Sequence, residues 1–317
     1  MILGHTINMS SVLYSSIYSF HMPMFFVLSG LFANANRYCF KHYLFRKTKQ
    51  LLIPYIVCFF VGLLVSLIIP GWHNFNVVEL LFSFFRFSSL DTTLVNVAPI
   101  WFLLCLYIVS LLFFPLYHVL KKQNPIFNFL IITVLVLVSY VITDFIEYEG
   151  HFFLCLDIAP VALTFYSIGY IFRKYFLSIY SFGKNRIWII IFCFFVVAIL
   201  PCKVLGIVKM AYNYYGSDRL IFFICAICGT IMVLMLASYL SKSKLLNYIG
   251  RNSIFIFAFH CILTRCYPVV LSNLFNEEIT RENMNPFFTI VGFLLISFII
   301  IVLSMIYNII KKQFVVY

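Results

Sequence analysis

The chain alternates between long apolar stretches and short polar segments. Each apolar stretch runs for roughly 20 residues, the length that an α-helix needs to cross the hydrocarbon core of a bilayer. A transmembrane β-barrel would instead alternate apolar and polar side chains over roughly 10 residues. The pattern predicts an all-α, polytopic transmembrane helical bundle with nine spans: Tyr14–Ala33, Leu51–Pro70, Val97–Tyr117, Phe127–Thr143, Phe152–Phe172, Ile187–Gly206, Leu220–Leu240, Ser253–Pro268 and Phe287–Ile310.

The composition agrees with this interpretation. Apolar residues make up 64% of the chain and charged residues only 10%, whereas soluble domains carry about 25% charged residues. No internal repeat is evident, which argues against the transporter folds built from duplicated halves. We therefore expect residues 1–317 to form a single integral membrane domain.

The formal net charge of +12 suggests nucleic acid as a partner until the positions of the charges are considered. Basic residues fall in alternate connecting segments: Arg37, Lys41, Arg46, Lys47 and Lys49; Lys121 and Lys122; Arg173, Lys174, Lys184 and Arg186; Lys242, Lys244 and Arg251; Lys311 and Lys312. The opposite segments carry acidic residues: Glu79, Asp91, Asp144, Glu147, Glu149, Asp218, Glu277, Glu278 and Glu282. The positive-inside rule places the basic side and the C-terminus in the cytoplasm. Membrane lipid, and not nucleic acid, is the expected partner.

Nine spans with a cytoplasmic C-terminus place the N-terminus outside. Met1 to Thr6 nevertheless resemble the end of an apolar segment, so we expect a tenth helix upstream of this chain. The longest acidic-side segment, Gly71 to Ala98, has the apolar periodicity of an interfacial amphipathic helix. Such a helix either covers an external opening or anchors the protein at the interface.

Three histidines, His5, His21 and His260, fall at or near membrane depth. An ionisable side chain is costly in lipid and needs a reason to be there, although a hydrogen-bonded structural role is the alternative for each ring. The segment between His5 and His21 is short and rich in Ser and Asn, so both rings are predicted to line one wet cavity and approach each other. Imidazole titrates near neutral pH and suits proton transfer.

Other residues around His21 shape its helix. Pro23 and the Ser29-Gly30 pair predict that the helix is bent or broken. The ten cysteines lie mostly in apolar runs, and the Cys225–Cys228 pair has no second ligand pair. We interpret the cysteines as small apolar packing residues and expect no metal.

Six segments resemble the acyltransferase-3 family of bacterial integral membrane acyltransferases, and are most similar to its sugar O-acetylase branch. The segments are Ile2–His5; Phe20–Phe26 with Ser29-Gly30; Arg46-Lys47 ahead of Leu52–Tyr55; Pro99–Leu103; Phe165–Tyr170; and Ile249–Ser253 followed by His260. Each motif is weak by itself, but their order and the topology agree over essentially the whole chain.

The resemblance implies transfer of an acetyl group from cytoplasmic acetyl-CoA, as a donor substrate and not a bound cofactor, to a hydroxyl of a cell-envelope sugar or polysaccharide. It implies His5 and His21 as catalytic residues, His5 being the general base or acyl relay. The donor phosphates would meet Arg46, Lys47 and Lys49. The substrate-binding candidates are Ser29, Trp101, Arg251, Asn252, Ser253 and His260. The family also implies a bacterial inner-membrane location.

Two departures from the family pattern stand out. The chain begins too late to contain the Arg that the family commonly has about ten residues before the first His, and Gln50 replaces another frequent Arg. Several alternatives stay open: a flippase for an envelope glycolipid, an inactive remnant without its first helix, a purely topological role for the basic segment, and an interfacial anchor at Trp101.

Overall fold

The computed structural model describes residues 1–35, 39–68, 100–121, 124–145, 153–182 and 186–315. Thirteen α-helices occur in these residues: α1 Ile2–Thr6, α2 Val12–Leu31, α3 Phe40–Lys47, α4 Ile53–Ile68, α5 Trp101–Leu120, α6 Pro125–Phe145, α7 Ala159–Ile171, α8 Arg173–Phe182, α9 Ile187–Leu200, α10 Arg219–Tyr239, α11 Lys244–Arg251, α12 Ser253–Phe275 and α13 Pro286–Val315. Extended structure in the described part of the chain is limited to one β-bridge, between Lys209 and Tyr214.

The prediction of an all-α, polytopic bundle is confirmed. Within the described ranges, eight helical segments are long and apolar enough to cross a membrane, and a shorter apolar helix, α7, accompanies them. The protein is therefore a multi-pass membrane protein. The amphipathic helix expected between Gly71 and Ala98 lies outside the described residues.

The predicted span Phe152–Phe172 is wrong in its first half. Leu154 and Cys155 adopt positive φ angles of 59° and 54°, and the helix begins only at Ala159, so it has 13 residues. Irregular backbone is tolerated at membrane depth where protein surrounds it. This explains why α7 is short yet lies at the centre of the bundle, against α2, α5 and α6.

Two prolines do not interrupt their helices. Of the bent or broken helix expected around Pro23 and Ser29-Gly30, the break is excluded, since α2 runs continuously from Val12 to Leu31. Pro268, predicted to end a span, lies inside α12, which continues to Phe275. Neighbouring helices in a membrane bundle compensate for the backbone bond that proline cannot make.

The centre of the bundle depends on two glycines. A Cβ atom on Gly30 of α2 would lie 1.8 Å from the carbonyl oxygen of Tyr166, and one on Gly169 of α7 would lie 2.0 Å from that of Val27. Small residues allow membrane helices to approach at backbone distance. The Ser29-Gly30 and Phe165–Tyr170 motifs are therefore the two sides of one helix crossing.

The short helix α1 carries His5 and packs against α2, α12 and α13. It lies beside the part of α2 that carries His21 and the part of α12 that carries His260. This arrangement brings together residues that are far apart in the sequence.

Candidate active site

The three membrane-depth histidines lie in one cluster. The ring centroids of His5 and His260 are 5.1 Å apart, and the Tyr18 ring lies 6.1 Å from that of His5 and 4.6 Å from that of His21. His260 and His21 are buried, whereas His5 is half-buried. The sequence predicts a pair of His5 with His21, and the structure places Tyr18 in contact with both and His260 directly beside His5.

Backbone carbonyls fix the tautomers of two of these rings. His260 Nδ1 lies 2.7 Å from the carbonyl oxygen of Phe257, and His21 Nδ1 lies 2.9 Å from that of Ile17. Because a carbonyl oxygen only accepts hydrogen bonds, Nδ1 donates in each pair. In the neutral rings Nε2 therefore keeps its lone pair and is able to accept a proton.

Arg281, in the connection between α12 and α13, holds α1 in place. Its Nε donates to the carbonyl oxygen of Ile7 at 2.6 Å, and a terminal nitrogen donates to that of Gly4 at 2.5 Å. A cation at a helix C-terminus satisfies carbonyls that lack intrahelical partners. Asn8 adds a bond from its side-chain amide to the carbonyl oxygen of Glu282 at 2.6 Å. This connection therefore fixes the position of His5.

Sequence reasoning missed Arg281 and assigned no chemistry to Cys261. Arg281 is an isolated cation among the acidic residues Glu277, Glu278 and Glu282, and that contrast was the available signal. Cys261 follows His260 directly, and its Sγ lies 3.3 Å from Nε2 of that ring. Because Cys261 lies in an apolar segment, the sequence alone does not distinguish it from the cysteines that only fill space in the bundle.

An apolar cavity of about 680 Å³ lies next to the cluster. Leu3 of α1 and Phe257 of α12 form its wall near the histidines, and Leu51 and Gly250 line it elsewhere. Phe257 stands one helical turn before His260, so the cavity wall comes within one turn of that imidazole. Hydroxyl groups are sparse in its lining, which includes Ser29, Ser253 and Ser297.

The connecting segment that carries Arg46, Lys47 and Lys49 is helical. Arg46 and Lys47 end α3, and a π-helical turn, Thr48–Leu52, joins α3 directly to α4. Lys47 stands four residues before Leu51 and hence on the same side of the helix as this cavity residue, with its Nζ 5.5 Å from the Tyr43 ring centroid. Arg46 and Lys49 are exposed, whereas Lys47 is half-buried.

The comparisons with known proteins decide the family. The model of the acyltransferase-3 family, described as an acyltransferase domain, matches residues 1–308. The chain belongs to this family. It is therefore a membrane acyltransferase. Neither the curated proteins nor the solved structures give a significant match.

Four of the remaining candidate residues of this acyltransferase, Ser29, Trp101, Arg251 and Ser253, fall in three different settings. Ser29 and Ser253 line the cavity. Trp101 is only 5% exposed, at the start of α5, with its ring against Phe102. The structure thus contradicts an interfacial anchor there, because such an anchor needs an exposed ring. Arg251 is exposed at the end of α11.

Asn252 contributes to a hydrogen-bond network between helices. Its amide donates to the carbonyl oxygen of Tyr248 at 2.9 Å, and its Oδ1 accepts from the Asn308 amide at 2.8 Å. The Tyr248 hydroxyl lies 3.0 Å from Ser304 Oγ. These bonds tie α13 to the junction of α11 and α12, which gives Asn252 a structural role.

Arg281→Ala is expected to lower kcat about 10²-fold with little change in the KM for the acyl donor. The variant frees the end of α1, and a displacement of about 1 Å at a reacting group costs that much. Arg281→Lys, which keeps the charge but loses the paired donors, should recover part of the rate. Steady-state kinetics of the purified full chain check this.

Glu282→Gln is the matched control, because Asn8 bonds its backbone and not its side chain. The control should retain wild-type kcat. Equal losses in Arg281→Ala and Glu282→Gln would contradict the positioning role of Arg281.

Proposed function

We propose that the protein is a membrane-embedded O-acyltransferase that moves an acetyl group from acetyl-CoA to a hydroxyl of a cell-envelope polysaccharide or lipid-linked sugar. The observation that carries this proposal is the cavity between the basic segments and the histidine cluster. One part of its wall, Leu51 and Gly250, lies in the chain next to Arg46, Lys47 and Arg251. Another part is Leu3, two residues before His5, and Phe257, one turn before His260.

The donor enters from the basic end. Guanidinium and ammonium groups suit the phosphates of CoA, which supports Arg46, Lys47 and Lys49 as the nucleotide side of the site. The uncharged pantetheine arm has no need of charged partners, and an apolar lining with a few serine hydroxyls suits its methylene groups and amides. The thioester then reaches the end of the cavity near Phe257.

The acceptor approaches the cluster from the opposite end. Tyr14 and Tyr18 stack with ring centroids 3.9 Å apart, and the Arg281 guanidinium lies 5.3 Å from the Tyr14 ring centroid. Tyr14 is buried, so it supports the half-buried Tyr18. An aromatic ring combines an apolar face with a polar edge, and Tyr18 is the ring of this pair that suits a sugar. His5 accepts the proton of the acceptor hydroxyl, and His21 supports that proton transfer through Tyr18.

The charge distribution sets the orientation in this proposal. With the basic segments in the cytoplasm, acetyl-CoA is available where Lys47 lies, and the acceptor is used on the other side of a bacterial inner membrane. A flippase would need no acyl donor, so donor dependence separates the two functions.

The test compares two lysine variants in an acetyl-transfer assay with the purified full chain, labelled acetyl-CoA and an extract of envelope glycolipids. Lys47→Ala should raise the KM for acetyl-CoA about tenfold, because a hydrogen bond to a charged group contributes about 1.5 kcal/mol. Lys49→Ala, which removes a neighbouring exposed lysine, should raise it less. Acceptor movement without acetyl-CoA, and without incorporation of label, would contradict the proposed function.

A further inference from the structure

Cys261 and His260 form a buried thiol–imidazole pair. Their side chains are 4% and 0% exposed, and Sγ lies 3.3 Å from Nε2. Because His260 Nδ1 donates to the carbonyl oxygen of Phe257, Nε2 of the neutral ring is an acceptor, and the thiol must be the donor. A thiol that donates to an oriented imidazole is the arrangement that activates a cysteine nucleophile.

The charges around the pair disfavour a metal ion. The donor atoms of His5, His260 and Cys261 lie within 4.8 Å of one another, a spacing that a metal ion would also use. However, Arg265 and Arg281 lie within electrostatic range of Cys261, and no carboxylate of the described residues is among the charged neighbours of Cys261 or His5. Positive charge repels a divalent cation, and it offsets part of the cost that burial adds to forming a thiolate at Cys261.

The cavity wall comes within one helical turn of this thiol. Phe257 lines the cavity, and Cys261 stands four residues later on the same face of α12. A donor thioester beside Phe257 is therefore about one helical turn from Sγ. The His5 ring, whose centroid lies 5.1 Å from that of His260, is the base that serves the acceptor.

We propose that Cys261 is the nucleophile of a two-step acyl relay, an inference that rests on the proposed function. In the first step His260 Nε2 takes the thiol proton, and Sγ attacks the thioester carbonyl carbon of acetyl-CoA. The bond between that carbon and the CoA sulfur breaks, and the CoA thiolate takes the proton from His260. The products are acetyl-Cys261 and free CoA.

In the second step His5 takes the proton of the acceptor hydroxyl. The acceptor oxygen attacks the carbonyl carbon of acetyl-Cys261, the carbon–sulfur bond breaks, and the Cys261 thiolate regains a proton from His5. The steps sum to acetyl transfer without an oxidant or reductant. The relay allows donor and acceptor to use opposite sides of the cluster in turn, which predicts ping-pong kinetics.

The test traps the intermediate in the purified full chain with labelled acetyl-CoA and no acceptor. After an acid quench, peptide mass spectrometry should find the label on the peptide that contains Cys261, and neutral hydroxylamine should remove it, as it does a thioester. The Cys261→Ala variant should carry no label, and its transfer rate should be at least 100-fold lower than that of the wild type. Cys266→Ala, on the same helix and half-buried, should keep both.

Several results would overturn the relay. These are transfer by Cys261→Ala within threefold of wild type, label on His5, or a stoichiometric metal in the purified protein that Cys261→Ala loses. If Cys261→Ala does not fold, Cys261→Ser keeps the volume of the side chain and takes its place. The label on its Cys261-site peptide and its transfer rate are then measured in the same way. Wild-type transfer that survives the loss of Cys261 would leave the proposed function standing, whereas wild-type protein that transfers no acetyl group would remove both.

Discussion

Replacing His5 by Ala is expected to slow acyl transfer about 10³-fold while the protein stays folded in the membrane. A positioned general base contributes between about 10² and 10⁴ in rate, and His5 is the ring that faces His260 and lies at the end of α1. Its side chain is half-buried, so its loss should disturb packing little. Transfer rates per membrane-inserted protein measure the effect.

His21→Ala is expected to lower the rate of acyl transfer at least about 10²-fold, because His21 contacts Tyr18 within the cluster. Transfer rates per membrane-inserted protein measure this effect too. His118→Ala is the matched control. Its Nδ1 lies 2.9 Å from the carbonyl oxygen four residues earlier, as that of His21 does, but it is exposed on α5, away from the cluster. Unchanged transfer in both His5→Ala and His21→Ala would refute the histidine mechanism.

The largest effect on stability is expected at the crossing of α2 and α7. Gly30→Val places side-chain atoms where the carbonyl of Tyr166 lies 1.8 Å from an added Cβ. Overpacking a core typically lowers the free energy of unfolding by about 1–3 kcal/mol. Here backbone atoms block the new side chain, so we expect the free energy of unfolding to fall by more than this range. Gly169→Val should act in the same way against Val27.

The amount of monodisperse protein in detergent and its unfolding midpoint measure the effect at this crossing. Gly250→Ala is the stability control, because a Cβ at Gly250 meets no atom within 4 Å. A Gly30→Val protein with the wild-type midpoint would show that the helices cross elsewhere.

Hydropathy predicts the spans of this chain because burial in lipid acts on whole segments. It fails where a local backbone feature decides the outcome. The positive φ angles of Leu154 and Cys155 leave no hydropathy signal, so hydropathy alone starts the helix α7 too early. The sequence also predicts an end at Pro268, whereas α12 continues to Phe275, because packing in the bundle compensates for the hydrogen bond that the proline cannot make.

The site was predictable in its residue types and less so in its geometry. Each histidine is conspicuous in an apolar segment, but their contacts depend on how deep α1 enters relative to α12. The bonds from Arg281 span 274 and 277 positions in the sequence, and no local pattern encodes such a contact. Cys261 acquires its significance only from the tautomer of His260, which the Phe257 carbonyl fixes.

The central claim is that the acyl donor enters from the basic end and reaches the histidine cluster through the cavity. Inverted and right-side-out membrane vesicles, given labelled acetyl-CoA outside, test this claim most directly. Labelled sugar should form in inverted vesicles, which expose the basic segments, and not in sealed right-side-out vesicles. Equal labelling by both kinds of vesicle, or labelling by right-side-out vesicles alone, would contradict the account.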